Sequence, residues 1–332
     1  MSLRLARSTS LTLLVVSTFA CSEPSSPRVS STRTASASSK ATDNDGAKSC
    51  LNIVNGLDTV EFPTVVRLVG LRGSSVGVCT GTFISPTAVI TAAHCLDASP
   101  NGGLSIVQGD RLDFTRNPLL KATKALRAFT FGSIGSTGDT SNSEVVGRDT
   151  AILLFPTGIA RAYAEIATAK PGPGTKAVSI GYGLTDYFDD QNAGRDYDAS
   201  KHYGSIDVVD GDDGLNIFVG DYTATESERV LGSKVVDSMG DSGGPLFVNG
   251  KISGTLSVGG SRPRSSDQQS AYFSVFVDIN SDNTLALIKL ANEAGANIPA
   301  PGTVPRSLSA PTAPIDSVAS GSPSASPIST CQ

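Results

Sequence analysis

Along the chain, apolar and polar residues alternate in short bursts rather than in helical stripes. Thr64 to Val69, Thr82 to Ile84, Ala88 to Thr91, Ala151 to Phe155, Ala177 to Ile180, Ile206 to Val209, Ile252 to Val258 and Tyr272 to Val277 are rich in β-branched residues, with Gly, Pro, Asn and Asp between them. Many short strands at such spacing predict a sandwich or barrel. One long segment, Asn283 to Ala294, has helical spacing, with Leu285, Leu287, Ile288, Leu290 and Ala291 forming an apolar stripe. The pattern is all-β, with a helix closing the globular part.

The flanks read differently. Arg4 and Arg7 precede an apolar run from Leu11 to Ala20, so residues 1–20 are expected to be an export signal, too short to span a bilayer. Residues 21–52 are rich in Ser, Thr and Ala, bury too little apolar surface to offset their ordering entropy, and read as a disordered tether or propeptide. Residues 298–332 hold seven Pro and read as a semi-extended tail. Residues 53–297 form the expected globular unit. Thr18-Phe19-Ala20-Cys21 is similar to the lipoprotein box of bacteria, although Thr18 departs from its usual Leu. Two readings stand here: a lipid on Cys21 that anchors the protein to a membrane, or an ordinary secretory signal.

Charge narrows the partners. With 26 Lys+Arg against 31 Asp+Glu and a net charge of −5, the chain lacks the basic footprint of a nucleic-acid binder. His94 and His202 are the only histidines, which excludes a His-rich metal site and limits imidazole chemistry to two candidates. His202 lies in an Asp-rich stretch, Asp186 to Asp213, that fits no EF-hand spacing. A solvated surface loop is expected there rather than a calcium site, and His202 receives no catalytic role.

Three segments carry chemistry: Thr91-Ala92-Ala93-His94-Cys95, Arg148-Asp149-Thr150-Ala151, and Gly240-Asp241-Ser242-Gly243-Gly244-Pro245. A serine hydroxyl is a weak nucleophile at neutral pH, so it needs an imidazole to take its proton and a buried carboxylate to hold that ring's tautomer. Glycines around Ser242 permit a sharp turn that aims the N–H groups of Gly240 and Ser242 at one point, where an oxyanion would be held. Gly240-x-Ser242-x-Gly244 alone also fits the nucleophile elbow of α/β-hydrolases. That fold needs a His after the nucleophile, and none follows Ser242. The order His94, Asp149, Ser242 is the one used by chymotrypsin-like proteases.

The chain here resembles the trypsin or chymotrypsin-like serine protease family over about 245 residues. The resemblance rests on Ile53-Val54-Asn55-Gly56, the His and Asp segments, Gly181-Tyr182-Gly183-Leu184-Thr185, the Gly-Asp-Ser-Gly-Gly-Pro block, Gly254-Thr255-Leu256-Ser257-Val258-Gly259 and the closing helix. It implies two packed six-stranded antiparallel β-barrels with a C-terminal helix, a catalytic cleft between them, and cleavage of protein or peptide substrates through an acyl-enzyme without a cofactor. It also implies that Ser257, Val258 and Gly259 pair with the substrate backbone as an added strand.

By the same resemblance Cys79 and Cys95 form a disulfide beside His94, where closing a loop of about 15 residues stabilises by roughly 3 kcal/mol. Cleavage before Ile53 would free an ammonium to pair with Asp241 and order the oxyanion site. Asn52 precedes that bond, so either an activating protease other than a trypsin-like one acts, or the single chain is already competent. Counting back six from Ser242 puts Val236 at the base of the primary pocket and favours apolar or small residues; a one-residue deletion would put Asp237 there and favour basic ones. Ser238 stands where the family usually has a pocket cysteine, and Val258 where it often has Trp. Five Cys is an odd number; lipidation of Cys21 would leave Cys50 and Cys331 as a pair, or both as free or intermolecular thiols. The chain is expected to act as an exported monomer, with membrane contact only through a lipid at Cys21. Two alternatives remain at this level: a catalytically silent, protease-shaped binding module, and a surface lipoprotein whose flanks are the working part.

Overall fold

Short β-branched runs become strands because their alternate side chains face one core while their backbones pair with a neighbour. The computed structural model describes residues 53–72, 75–97, 103–107, 122–134, 142–184, 200–210, 214–227, 229–264 and 269–303. Residues 1–52, where the signal and tether are expected and which include Cys21 and Cys50, and residues 304–332, with Cys331, lie outside the described residues.

In chain order the elements are β1 Leu57–Thr59, β2 Val65–Arg72, β3 Ser75–Phe83, β4 Ala88–Thr91, a 3-10 turn Ala93–Leu96, β5 Ser105–Val107, β6 Ala122–Lys124 and β7 Arg127–Thr130. There follow α1 Ser143–Val146, β8 Ala151–Leu154, β9 Lys176–Gly181, β10 Lys201–Asp210, β11 Asn216–Thr223 and α2 Ala224–Ser227. The last are β12 Pro245–Val248, β13 Lys251–Pro263, β14 Ser270–Asp278 and α3 Asp282–Glu293.

One sheet runs β1-β10-β11-β14-β13-β12-β9, and β9 pairs back onto β10. Six of its strands therefore close an antiparallel barrel, with β1 on the outside. The other sheet runs β6-β5-β2-β3-β4-β8-β7. Its two edges are consecutive parts of one run: the Ala125 N–H donates to Leu104 O, and the next N–H, of Leu126, donates to Leu154 O. The run changes partner at this point, so the sheet curls into a half-barrel instead of completing a six-strand ladder. Together these make the all-β, chymotrypsin-like architecture expected, with few helices and one at the C-terminal side.

Three apolar clusters hold it. Ile53, Ile206, Val219, Leu246 and Phe276 fill the closed barrel, and Leu68, Phe83, Val89, Ile106 and Leu153 fill the half-barrel. Between the sheets, Ile90 and Ile152 meet Ile180, Phe247 and Ile252, and α3 adds Leu287 and Ile288. This shared layer fixes the strand ends of one sheet against those of the other. The α3 helix starts at Ser281, whose hydroxyl accepts the Thr284 N–H. Its buried face is Thr284, Leu287, Ile288 and Ala291, narrower than the predicted stripe, since Leu285 and Leu290 are exposed.

Two expectations change. His202 is fully buried on β10, not in a surface loop; Gly204, Ile206 and Val208 point inward while Ser205, Asp207 and Val209 point outward or lie half-buried, an alternation that acidic composition obscured. Its Nε2 lies 2.7 Å from Asp58 Oδ1 on β1. The fold also continues past residue 297. Ile298 is buried, its N–H donates to Asn292 Oδ1 at 2.7 Å, and the Gly302 N–H donates to Ile166 O at 2.9 Å.

Candidate active site

The end of β4 delivers His94. Ala92 is still extended, and the chain then tightens into the Ala93–Leu96 turn, where the Cys79–Cys95 disulfide ties it to β3. Asp149 arrives on the neighbouring strand, since β8 pairs antiparallel with β4 and sets Ala151 opposite Thr91. Asn142 caps α1 by accepting the Glu144 N–H, Gly147 closes the helix, and the Asp149 N–H bonds to Val146 O just before β8. The fully buried Asp149 carboxylate then receives three donors. Its Oδ1 takes the His94 backbone N–H at 2.8 Å, and its Oδ2 takes His94 Nδ1 at 2.7 Å and Ser257 Oγ at 2.6 Å.

An acceptor-only carboxylate at Nδ1 assigns the proton of neutral His94 to that nitrogen and leaves the Nε2 lone pair outward. The His94 side chain keeps 22% exposure. Burial pushes its pKa down, but the charge and hydrogen bond of Asp149, with the charge of Asp97, outweigh burial and raise it above the ordinary 6.5.

Ser242 sits on a turn that only glycine-rich sequence allows. Gly240 has φ 101° and Gly243 φ 81°. A Cβ on Gly243 would lie 2.0 Å from Thr91 Oγ1 and 2.7 Å from Ala92 N, so the turn packs directly on the segment that leads into His94. Among the described residues no hydrogen bond joins the His94 ring to Ser242 Oγ, a contact that often tightens only with substrate bound. The carbonyls on the turn are engaged: Met239 O accepts Leu184 N–H at 2.8 Å and Asp241 O accepts Gly244 N–H at 2.7 Å. Because C=O and N–H point oppositely across a trans peptide, the N–H groups of Gly240 and Ser242 face away from those partners. Neither donates to any described group.

Behind the turn lie two buried acids. Asp241 Oδ1 accepts Gly183 N–H at 2.7 Å and Oδ2 accepts Ser238 N–H at 2.8 Å. Asp237 accepts from Ser179 Oγ through Oδ1, while its Oδ2 has no partner among the described residues. Burial pushes both carboxyls up, Asp241 well above the usual range because Asp237 adds its own charge. Ile53 is fully buried in the barrel core, and Val54 exchanges backbone hydrogen bonds with Val236, one residue before Asp237.

The family model described as Trypsin matches residues 58–285. The chain belongs to the trypsin family. It is 29% identical over 223 residues to a trypsin of Saccharopolyspora erythraea, covering 62% of this chain and 86% of that one. A trypsin of Sarcophaga bullata is 26% identical over 247 residues, covering 69% and 85%. Among solved structures, the scabies mite inactivated protease paralogue S-I1 is similar over 72% of this chain and 99% of its own, at 18% identity and a TM-score of 0.48.

In this trypsin-family chain β13 runs beside the nucleophile turn, where Gly243 N–H donates to Leu256 O at 2.8 Å. Pairing of β13 with β12 ends at Thr255, so the edge of β13 beyond Leu256 has no strand beside it among the described residues. Ser257 is buried there, Val258 half-buried and Gly259 exposed. The Ser257 hydroxyl bond to Asp149 is one that nothing in the local sequence signals. Val236 is buried and pinned by Val54, whereas the Asp237 side chain turns to Ser179 on β9. Cys79, His94 and Cys95 bring donor atoms within 4.8 Å of one another, but both sulfurs are spent in the disulfide, which leaves no thiolate pair for a metal. A separate cavity of about 670 Å³, bounded by Phe62, Tyr163, Glu165, Lys176 and Phe247 among others, shares no residue with this cleft.

Proposed function

We propose that this chain is a serine endopeptidase with His94, Asp149 and Ser242 as its triad. The observation that carries the reading is the His94–Asp149 pair, with Nε2 outward, beside a turn whose Ser242 hydroxyl and two N–H donors have no partner among the described residues. His94 Nε2 takes the Ser242 proton as Oγ bonds to the scissile carbonyl carbon. The carbonyl π electrons move to oxygen, and the N–H groups of Gly240 and Ser242 hold that oxyanion. Collapse breaks the C–N bond, His94 gives its proton to the leaving amine, and an ester remains on Ser242. Water, deprotonated by His94, then adds to the ester carbonyl, and His94 returns that proton to Ser242 Oγ as the C–O bond breaks and the acid leaves.

The open β13 edge at Ser257 to Gly259 supplies main-chain pairing for the substrate. Val236 at the pocket base favours apolar or small side chains, with Asp237 drawn off toward Ser179. Export, cleavage before Ile53 by a protease accepting Asn52, and anchoring through Cys21 belong to the same reading. To test it, processed protein is incubated with a mixed peptide library, and the new termini are sequenced. Hydrolysis after apolar or small residues, abolished by a serine-directed sulfonyl fluoride, is expected. Absence of any cleavage would overturn the reading, and cleavage after Lys or Arg would overturn the pocket assignment.

The His94 environment sets a pH dependence. Only the neutral ring accepts a proton, so raising its pKa moves the acid limb of kcat/KM upward. The expected profile falls about tenfold per pH unit below a midpoint above 6.5. A profile flat down to pH 5 would contradict His94 as the base.

Asp241 sets another. For an acid whose folded pKa is raised, the native chain retains protons that the unfolded chain has released, so stability falls as pH rises from the ordinary carboxylate range through the raised value. In the unprocessed chain that loss is expected to begin near the ordinary carboxylate range, about pH 4, and to continue up through the raised value. Asp241→Asn should remove much of this slope. Thermal unfolding against pH, in a Ser242→Ala background that prevents self-cleavage, checks it; identical slopes would refute it. After cleavage, the Ile53 ammonium would supply the countercharge, and the wild-type slope should flatten.

A further inference from the structure

Thr80 is fully buried on β3, opposite Arg67 of β2, and it meets the nucleophile turn through side chain and backbone together. Its Oγ1 donates to Gly240 O at 3.0 Å and accepts the Tyr182 N–H at 3.0 Å. Its backbone N–H donates to Ser242 O at 2.8 Å, and its carbonyl accepts Thr91 Oγ1 at 2.7 Å, three residues before His94. A Cβ on Gly244 would rest 3.6 Å from Thr80 Cβ, and one on Gly243 would strike Thr80 O at 2.3 Å. One residue thus bonds the Thr91 side chain before His94, the Tyr182 backbone and two carbonyls of the Ser242 turn.

We propose that Thr80 is a positioning residue whose hydroxyl locks the oxyanion donor of Gly240. The inference rests on the protease reading above. Gly240 is flanked by two peptide planes. Leu184 N–H pins the one before it through Met239 O, and the one after it is held by Thr80 Oγ1 at Gly240 O and, within the turn itself, by Asp241 N–H on Ser238 O at 3.1 Å. With φ at 101° and no Cβ, Gly240 offers little resistance of its own to rotation between those planes. Gly240 N–H lies in the first plane; the Thr80 bond ties the second plane to β3, and without it that plane keeps only its bond within the turn. The hydroxyl is suited to the place because it must donate to Gly240 O and accept from Tyr182 at once. The chain lacks another side chain bonded to Gly240 among the described residues.

An oxyanion donor acts only when its hydrogen is aimed at the developing charge, and errors of about 1 Å cost on the order of 100-fold. Thr80→Val keeps the shape and removes both side-chain bonds. It is expected to lower kcat about 10- to 100-fold per titrated active site, with KM changed less than about twofold. Thr80→Ser keeps the hydroxyl and should recover most of kcat. Affinity for a peptide aldehyde, which forms the tetrahedral oxyanion on Ser242, should fall in step with kcat.

The experiment titrates active sites with a fluorophosphonate in wild type, Thr80→Val and Thr80→Ser, then measures kcat, KM and aldehyde inhibition for each. A purely structural role would lower the titratable fraction and the melting temperature while leaving kcat per site intact. Unchanged kcat per site in Thr80→Val, or failure of a folded Thr80→Ser to recover it, would overturn this assignment alone. A wild-type protein that does not react with the fluorophosphonate would overturn the protease reading and this inference with it.

Discussion

Ser242→Ala is expected to lower kcat for peptide hydrolysis by about a million-fold and to leave KM and thermal stability near wild type. The magnitude follows from removing the nucleophile of a unit whose members act together, after which only oxyanion and binding contributions persist. Stability should hold because Ser242 Oγ bonds to no described group, and the turn is fixed instead through backbone atoms of Thr80, Leu256 and Gly244. Steady-state assay of the purified variant against wild type decides the matter. Activity within 100-fold of wild type would mean that another group carries the chemistry.

Asp149→Asn should cost about 10,000-fold in kcat. The carboxylate now accepts three hydrogen bonds, two of them from His94. An amide has one oxygen, so its NH2 must face a group that at present donates. If it faces Nδ1, the ring is driven to the tautomer with hydrogen on Nε2, which cannot take the Ser242 proton. If it faces the His94 backbone N–H, two donors collide and the turn shifts. Either outcome spoils the base without touching Ser242. A loss smaller than about tenfold would show that Asp149 does not control the ring.

Much of this site was legible from residue order. His94 and the Gly-Asp-Ser-Gly-Gly-Pro block stand at opposite ends of the fold in sequence, yet each carries local chemistry that reads on its own, and Asp149 precedes an unbroken apolar strand. Short β-branched runs bounded by turn residues, such as Ala88–Thr91, buried throughout, and Lys176–Gly181, were also readable. Those that escaped have physical reasons. Asn216–Thr223 is largely buried along both faces and mixes Asn, Gly and Asp with its apolar residues, so it shows no alternation. Pro245–Val248 is four residues long directly after a glycine cluster. Arg127–Thr130 is an exposed edge with one half-buried residue.

Long-range side-chain pairings were the least visible. Ser257 reaches Asp149 across 108 residues and Thr80 reaches Gly240 across 160, and neither bond leaves a local pattern. His202 shows the same limit in reverse: its acidic neighbourhood suggested solvent, while strand pairing with Asp58 and Gly181 buries it. What the fold adds to the motif is therefore the second ring of contacts, in which β3 and the Tyr182 loop hold the turn that bears the hydroxyl.

The most direct test is to treat the processed wild-type protein with a fluorophosphonate and map the adduct by peptide mass analysis, with His94→Ala in parallel. A stoichiometric adduct on Ser242, slowed by several orders of magnitude in His94→Ala, is the expected result. An unmodified Ser242 in folded, processed protein, or labelling that proceeds equally well without the His94 ring, would contradict the account.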